Sequence, residues 1–501
     1  MHQPSVLHQL SPAPLLFLPV PRSPLGLFLR EVLRLVASKP EILAAIGQDL
    51  ELDGLKNKSN RLRDQNWVSN DQLTIPGMNQ IQTDENVTLS LQVGRPRMTA
   101  VACYFFWMLS TYAGGIKSRK MRDLLQDSIS VMLFCQEAGI QIPSGSTLAD
   151  NISVLSDETR HILLDAQIAH VKEEGLDDFD KCQFDSTMVE ANIAWPTDSA
   201  LILKIIRLVN VQLKKMRKLG LTGVDCDDTG TLIKHLKSLD FKINCTPNNK
   251  PDVRKALYDE FLEDAEEATP DFNTAVAAYA LKLGEINLRP SKIARLTKIL
   301  GKVKQSLHKL DLVIQHCHER VYEEMSRPVN EKVLSVSDPD AAYMKKGSRD
   351  PKIGYHPQLA RSEKGLVTAV IVPKGYTGDA SELQPLCEQS FRRTGVVPTG
   401  TSGDGCYASK ANRKWLLEKG VKNPSFSSSK GKAITPLDEW RSETCKHLRN
   451  WRSAAEALMS QIKNQLNFGH PIKRGLESVR AELTDKVLAF NFLRMAFLRT
   501  Q

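Results

Sequence analysis

The chain contains no C-x-x-C pair, and its nine cysteines are scattered singly over 501 residues. Zinc sites and disulfide frameworks need closely spaced cysteines, so the sequence predicts neither and favours reduced thiols. Aromatic residues are scarce, at 6%. No uninterrupted apolar run of about 20 residues occurs, which excludes a membrane-spanning helix. The apolar run 15–18 is short and flanked by prolines, so we do not expect a signal peptide there.

The composition is that of an ordinary globular protein with an excess of basic over acidic residues. Hydrophobic residues make up 41% of the chain and charged residues 25%, and the formal net charge is +9 at pH 7. The length predicts about two or three domains. The excess of positive charge permits a polyanionic partner such as nucleic acid.

The order of hydrophobic periodicities predicts an α/β fold. Helical patterns fill residues 26–178, a strand pattern starts at Lys181, and helical patterns return from Ser199 to Ser326. Strands and helices then alternate, which indicates an α/β layer. The predicted strands of this last part are 352–360 and 366–373, joined as a hairpin, then 396–403 and 423–426. Asp379 is predicted to cap the helix that follows the hairpin.

Two basic regions leave alternatives open. The helices after Gly94 carry a basic rim and a Ser/Thr cap, which fits either a helix-turn-helix DNA reader or a plain helical bundle. A second basic run follows Pro290 on one predicted helix, and it is either a solvated face or a phosphate-contacting surface. Its members are Lys292, Arg295, Lys298, Lys302 and Lys304.

The stretch Asn450–Leu466 has the period of an amphipathic helix. An apolar stripe runs through Trp451, Ala455, Leu458, Ile462 and Leu466. Arg452, Glu456 and Lys463 line up on a second, narrow face. Such a face suits a carboxylate metal ligand with phosphate-holding cations, and it also suits an ordinary helix with an Arg–Glu pair at i,i+4.

Three acids occupy positions that a sheet would bring together. Asp185 lies within the first predicted strand, Asp404 lies at the end of a later strand, and Glu456 lies on the amphipathic helix. Carboxylates in such places are costly unless they are paired or bind a metal. Two Mg²⁺ or Mn²⁺ ions, about 3.5–4 Å apart, are what oxygen ligands of this kind hold in phosphoryl-transfer enzymes.

Four ordered blocks resemble bacterial insertion-sequence transposases of the DDE class. Phe184-Asp185-Ser186-Thr187 is similar to the block of the first aspartate, and Gly403-Asp404-Gly405-Cys406-Tyr407 to that of the second. Ser335 to Ala341, with Gly354-Tyr355-His356, resembles the block that leads into the hairpin. Arg452, Glu456 and Lys463 match the C-terminal Tyr-x2-Arg-x3-Glu-x6-Lys signature, although Arg449 replaces its Tyr.

The resemblance implies a ribonuclease H-like mixed sheet with flanking helices, an N-terminal all-α domain and a long helical insertion after the first strand. The residue patterns and the resemblance together predict a helical domain that is a candidate for DNA-end binding (26–178), a catalytic domain (179–198 with 328–501) and the insertion (199–327). Residues 1–25, for which the family has no counterpart, are predicted from their composition to be a disordered or over-extended start. Asp185, Asp404 and Glu456 would be the catalytic acids and the ligands of two Mg²⁺ or Mn²⁺ ions. The implied DNA-binding residues are Arg452, Lys463, Lys345, Lys346 and Arg349.

The implied activity is DNA transposition, with metal-dependent strand cleavage and strand transfer. The implied partners are double-stranded DNA with terminal inverted repeats, target DNA and a second protomer, in the bacterial cytoplasm at the nucleoid and not at a membrane. Two alternatives remain open, namely a degenerate relative that binds element ends without cutting and a metal-dependent nuclease on the same core.

Overall fold

The computed structural model describes residues 23–65, 98–137, 140–221, 229–345 and 350–501. These residues fold into two compact units. The described residues of Met1–Gly54, Gly94–Asn192 and Asp340–Gln501 form the first unit, and those of Leu55–Val93 and Ile193–Pro339 form the second. None of the described helices is both long and apolar enough to cross a membrane.

The helices and strands follow one another along the chain with helices at both ends. Before the first strand lie α1 (Pro24–Ser38), α2 (Glu41–Gln65), α3 (Ala100–Tyr112), α4 (Arg119–Asp127), α5 (Ile129–Glu137), α6 (Gly145–Ile152) and α7 (Asp157–Glu173). Next come β1 (Lys181–Ser186), β2 (Val189–Glu190), α8 (Asp198–Lys218), α9 (Thr229–Cys245), α10 (Pro251–Glu285), α11 (Pro290–Tyr322) and a 3₁₀ turn (Val329–Glu331). The chain continues with β3 (Ala342–Met344), β4 (Lys352–Tyr355), β5 (Gln358–Ser362), β6 (Val367–Ile371), α12 (Asp379–Thr394), β7 (Gly400–Gly403), α13 (Lys410–Glu418) and β8 (Asn423–Phe426). It ends with α14 (Ser428–Ile434), α15 (Leu437–Arg441), α16 (Glu443–Trp451), α17 (Ser453–Leu466) and α18 (Leu476–Leu498).

A five-stranded mixed sheet organises the first unit, in the order β6-β5-β1-β7-β8. β5 pairs antiparallel with both β1 and β6, whereas β7 pairs parallel with β1 and with β8. β1, β6, β7 and β8 therefore all run in one direction, and their carboxyl ends lie at the same edge of the sheet. This is the α/β fold with a mixed sheet and many helices that the sequence predicts.

Strand β1 shows why the sheet has two different faces. Cys182 and Phe184 are buried in an apolar core with Leu383 and Leu386 of α12 and Leu416 of α13. Because successive side chains of a strand point to opposite faces, Gln183 and Asp185 point away from that core. The two faces of the sheet thus carry different chemistry.

Two predicted strands are divided in the structure. The predicted strand 352–360 becomes β4 and β5, which lie in different sheets, since β4 pairs with β2 and β3 in a three-stranded sheet. Pro357 lies between them and has no N–H for a continuous ladder. The hairpin itself, β5 with β6, is present. The strand predicted from 396 begins only at Gly400, after Pro398.

Helices surround the sheet in the first unit. α18 packs against α1, α3, α7, α17 and β6, and most of its residues are buried. Its Asn491 is fully buried and bonds both the N–H and the carbonyl oxygen of Val367 on β6. The buried polar contact fixes the register of this helix on the sheet.

The second unit is a helical bundle with its own apolar core. α8, α9, α10 and α11 contribute that core, which includes Ile202, Phe261, Phe272 and Leu310. The predicted domain boundaries remain predictions, and residues 1–22 of the predicted N-terminal lead lie outside the described residues.

Candidate active site

Asp185 lies near the carboxyl end of β1, on the face that is turned away from the apolar core. It pairs across the sheet with Leu359 of β5, and its Oδ1 accepts a hydrogen bond of 2.9 Å from the backbone N–H of Ser186. The preceding residue, Phe184, pairs with Gly403 of β7. Asp185 therefore lies beside the position where β7 ends.

Asp404 follows β7 directly and lies on the same face as Asp185. A Cβ added to Gly400 would lie 3.1 Å from two carbons of Leu448 on α16, and Ser402 donates a hydrogen bond of 2.8 Å to the Leu448 carbonyl. Because every second residue of a strand points to the same face, positions 400, 402 and 404 all point to this face. The Oδ1 of Asp404 accepts a 2.5 Å hydrogen bond from the backbone N–H of Cys406, which fixes the turn.

Arg452 connects Glu456 to this edge of the sheet, because its guanidinium contacts both Glu456 and Asp404. The Arg452 guanidinium donates a 2.7 Å hydrogen bond to Glu456 and lies 3.9 Å from Oδ2 of Asp404. The Glu456 side chain is 69% exposed and the Asp404 side chain 18%. One cation thus lies between two of the three predicted acids.

The helix that carries Arg452 and Glu456 differs from the predicted one. Residues 450–466 are divided into α16 and α17 at Arg452, whose backbone angles remain helical. The predicted stripe faces inward, with Ala455, Leu458, Ile462 and Leu466 buried. Glu456 therefore lies on the side away from that packing, as the periodicity predicts.

Two buried polar side chains hold this helical junction against the sheet. Gln183 of β1 donates a 2.7 Å hydrogen bond to the carbonyl oxygen of Arg452. Arg361 of β5 donates a 2.7 Å hydrogen bond to the carbonyl oxygen of Ala454, and its guanidinium lies 5.3 Å from the Trp451 ring centroid. Burial lowers the pKa of Arg361 to about 10.

A buried hydrogen-bonded chain supports the edge from the other face. Gln358 of β5 accepts a hydrogen bond from the Tyr407 hydroxyl and donates one of 2.9 Å to Oδ1 of Asp379. His356 Nε2 lies 3.7 Å from the same Asp379 oxygen. Asp379, predicted as a helix cap, makes no capping bond, and Gly378 occupies the cap position of α12.

Burial and the acids around this edge of the sheet both raise the pKa of Tyr407. Burial is the main reason that the pKa of Tyr407 lies well above its ordinary value. The next contributions are the negative charges of Asp379, Asp185 and Asp404. The tyrosine consequently stays protonated and remains a donor to Gln358.

One group of side chains among the described residues has the spacing of metal ligands. Ligand atoms of Asp379, Asp404 and Cys406 all lie within 4.8 Å of one another. Asp185, Asp404 and Glu456 do not form such a group in the part of the chain that the structure describes. Asp404 belongs to both sets.

The predicted DNA-binding cations are distributed over different places. Arg452 lies among the acids, whereas Lys463 acts on Glu190 of β2. The pKa of Glu190 is lowered first by a hydrogen bond from Lys352, with smaller contributions from several charges including that of Lys463. Lys345 is exposed directly after β3 of the three-stranded sheet. Lys346 and Arg349 lie outside the described residues.

The fold thus places Asp185, Asp404 and the Arg452–Glu456 pair at one sheet edge, and adds residues that the sequence interpretation missed. Asp379 was missed as part of the site, although its position between a predicted strand and a predicted helix was the available signal. Cys406 and His356 enter the sequence interpretation only as members of the resembling blocks. The approach of Asp379 to Asp404 depends on β6 running parallel to β1, which no local pattern reveals.

Comparison with known families supports the resemblance. Residues 314–492 match the family described as Transposase DDE domain. The matched stretch contains Asp404, Arg452, Glu456 and Lys463, and Asp185 precedes it. No curated protein and no solved structure matches the chain.

Proposed function

Residues 314–492 match the family described as Transposase DDE domain, and from this match we propose that the protein cuts DNA at the ends of a mobile element and joins those ends to target DNA. The family implies transposase activity, DNA as the substrate and a divalent metal as the cofactor. The proposal adds the residues that act, the two chemical steps and the ribonuclease H-like character of the core.

The observation that carries the proposal is the shared edge of β1 and β7. Asp185 and Asp404 lie at the carboxyl ends of adjacent parallel strands, and the α16–α17 junction bearing Arg452 and Glu456 covers the same face. A mixed sheet with helices on both faces and acids at one edge is the arrangement that a ribonuclease H-like core requires.

The donor atoms at this edge fit Mg²⁺ or Mn²⁺. Asp185, Asp404 and Glu456 offer carboxylate oxygens, which are the ligands that these hard cations prefer. These residues would hold two ions, which when bound neutralise charge on the transferring phosphate and lower the pKa of a bound water. Both Asp404 and Glu456 are open to solvent, so ions and DNA can reach them.

Other side chains would bind the DNA phosphates and hold the site in position. Arg452 lies beside Asp404, where a guanidinium can donate two hydrogen bonds to the oxygens of a DNA phosphate. Gln183 and Arg361 hold the backbone of that region in place, so the phosphate would meet a preorganised cation. Lys463, farther along α17, would contact the same strand at a second phosphate.

Two steps follow at this site. In the first step, water attacks a phosphodiester at the element end, and the bond to the 3′-oxygen breaks, leaving a 3′-hydroxyl on the element. In the second step, that hydroxyl attacks a phosphodiester of the target, and the target's own 3′-oxygen leaves. We propose that two protomers act together at the bacterial nucleoid, because the two inverted-repeat ends of an element must be joined to one target.

Cleavage of end-sequence DNA with Mg²⁺ tests the proposal. Asp185→Asn, Asp404→Asn and Glu456→Gln should each lower cleavage by at least about a hundredfold while DNA binding is retained, because a ligand to the ions is lost. Glu443→Gln is the matched control, since Glu443 is an exposed acid of α16 that pairs only with Lys446 among the described residues. An unchanged rate in Glu456→Gln would remove Glu456 from the ligand set.

A second pair of variants separates the two acid groups at this edge. If Asp379 and Cys406 are the ligands that accompany Asp404, then Asp379→Asn and Cys406→Ser will abolish cleavage and Asp185→Asn will not.

The same assay decides between the alternative functions. Binding without any cutting would indicate a degenerate relative, and cutting without joining would indicate a nuclease.

A further inference from the structure

In the second unit, some stretches of helix are rich in charge of one sign. Residues 199–218 of α8 and residues 290–309 of α11 contain no acid, but both stretches are rich in lysine and arginine. The first part of α10, in contrast, is rich in acids. These are Asp252, Asp259, Glu260, Glu263, Asp264, Glu266, Glu267 and Asp271.

Antiparallel packing brings the two basic stretches to one end. Arg320, near the end of α11, forms an ion pair with Asp198 at the start of α8. A Cβ on Gly220, just after α8, would lie 3.5 Å from Leu288, just before α11. The last turns of α8 therefore lie beside the first turns of α11. We name this region the basic end, formed by Lys214, Lys215, Lys218, Lys292, Arg295, Lys298 and Lys302.

The acids of α10 lie toward the other end. Glu266 bonds His318, and Asp259 bonds Tyr322, so the first half of α10 packs along the last turns of α11. Ser199 at the start of α8 donates a 2.7 Å hydrogen bond to Asp240 of α9, which places the second half of α9 there as well. The acids of α10 thus lie away from the basic end.

The cations of the basic end are exposed and are not neutralised within the described chain. Every one of them is exposed, and none has an ion pair among the described residues. In contrast, Arg320 near the end of α11 and Arg327, which follows α11, are both paired with acids. The sequence after α8 also contains three acids, Asp225, Asp227 and Asp228. The seven cations of the basic end outnumber them.

We infer that the basic end is a surface that binds the phosphate backbone of duplex DNA without reading its sequence. Duplex DNA is a line of closely spaced negative charges, and each cation that meets a phosphate releases a counterion. Lys292 to Lys302 extends for about 15 Å along α11, enough to span several phosphates. The inference rests on the proposed function, which supplies DNA as the substrate, and it assigns a role to the helical insertion.

The spacing on α11 is consistent with a continuous contact surface. Arg295, Lys298 and Lys302 lie on one side of the helix, while Leu296, Ile299 and Val303 are buried against the bundle core. Substituting these cations removes charge without opening the core. The bundle should therefore fold normally in the variants.

The test compares two triple variants of the full-length chain that change charge equally. One carries Arg295→Gln, Lys298→Gln and Lys302→Gln at the basic end. The other carries Lys237→Gln, Lys242→Gln and Lys250→Gln, which are exposed lysines on the side of α9 and α10 that lies away from it. Binding to a fluorescent duplex of unrelated sequence is measured by anisotropy at several salt concentrations, without divalent metal.

We expect the first variant to bind at least about tenfold more weakly, with a salt-dependence slope smaller by about 2–3, and the second to bind like the unmodified chain. Equal binding by both triple variants would overturn the inference, and so would an equal loss in both. Cleavage by Asp185→Asn is measured in a separate assay with Mg²⁺. A failure of cleavage to depend on Asp185 would count against the proposed chemistry alone, because the binding comparison of the two triple variants contains no divalent metal.

Discussion

The side-chain amide of Gln183 donates a 2.7 Å hydrogen bond to the backbone carbonyl oxygen of Arg452. Gln183 is fully buried on β1 and lies two residues before Asp185, and Arg452 lies four residues before Glu456. This hydrogen bond connects the strand that carries the first acid to the helical junction that carries the third. The relative positions of these acids depend on it and on the hydrogen bond from Arg361 to Ala454.

Gln183→Glu should destabilise the fold by about 2–3 kcal/mol, because it places a buried carboxylate against a carbonyl oxygen. The matched control is Gln461→Glu, since Gln461 is exposed on α17. Urea unfolding measures the difference between the two variants. That difference should shrink as pH falls, because a protonated carboxyl can donate to the carbonyl as the amide does. A difference that does not depend on pH would contradict this explanation.

Arg452→Gln should strengthen Mn²⁺ binding by about tenfold, because a positive charge close to two carboxylates repels a metal cation. The guanidinium is 2.7 Å from Glu456 and 3.9 Å from Asp404. Binding is measured by the loss of the free Mn²⁺ EPR signal. DNA cleavage should fall in the same variant, since a phosphate contact is lost.

Arg449→Gln is the control for the Arg452 variant. The Arg449 guanidinium stacks 3.8 Å from the Trp440 ring centroid and donates to the Trp440 carbonyl oxygen at 2.9 Å. Its removal should leave Mn²⁺ affinity unchanged. Tighter binding in both variants would mean that net charge, rather than the position of Arg452, controls the affinity.

Gly405→Ala should cost about 1–3 kcal/mol of stability and lower cleavage, because a Cβ there overlaps its neighbours. The added atom would lie 2.0 Å from Oγ of Ser428 and 3.0 Å from the carbonyl oxygen of Ser427. Ser428 itself has a positive φ of 74°, which a glycine adopts more readily. Adding Ser428→Gly should therefore recover most of the stability in the double variant, as thermal unfolding would record.

Gly284→Ala is the matched control for the glycine experiment. Gly284 lies in α10 with no atom within 4 Å of an added Cβ, so alanine should stabilise the helix by about 0.5–1 kcal/mol. If Ser428→Gly fails to rescue Gly405→Ala, the contact with Ser428 is not the cause of the loss.

Stability should decrease as pH falls from about 7.5 to about 5.5, partly because of His170. Burial is the main reason that the pKa of His170 lies below its ordinary value. The unfolded chain then takes up a proton at a higher pH than the folded chain does, so protonation favours unfolding as pH falls. His170→Gln should reduce this pH dependence, measured as urea midpoints across the range, whereas the exposed His447→Gln should not.

Much of this structure follows from local patterns in the sequence. The strand at Lys181, the hairpin after it, and the inward-facing stripe through Leu458 and Ile462 all follow from periodicity, which depends on neighbours close in sequence. Motif spacing also places Asp185, Asp404 and Glu456 on the right kinds of element.

Other features depend on contacts between distant residues. Pro357 divides a predicted strand between two sheets, and the α16–α17 junction breaks a predicted helix at Arg452. Asp379 joins the site only because β6 runs parallel to β1, and its carboxylate bonds Gln358 rather than capping its own helix.

The sequence by itself determined the α/β class, the DDE-class resemblance and the candidate acids, because periodicity and spacing are written along the chain. Only the tertiary structure decided that Arg452 lies between Asp404 and Glu456, that Cys406 and Asp379 come within 4.8 Å of Asp404, and that α8 and α11 bring their cations to one end. These relationships arise from strand direction and helix packing, which bring together residues that no local pattern connects.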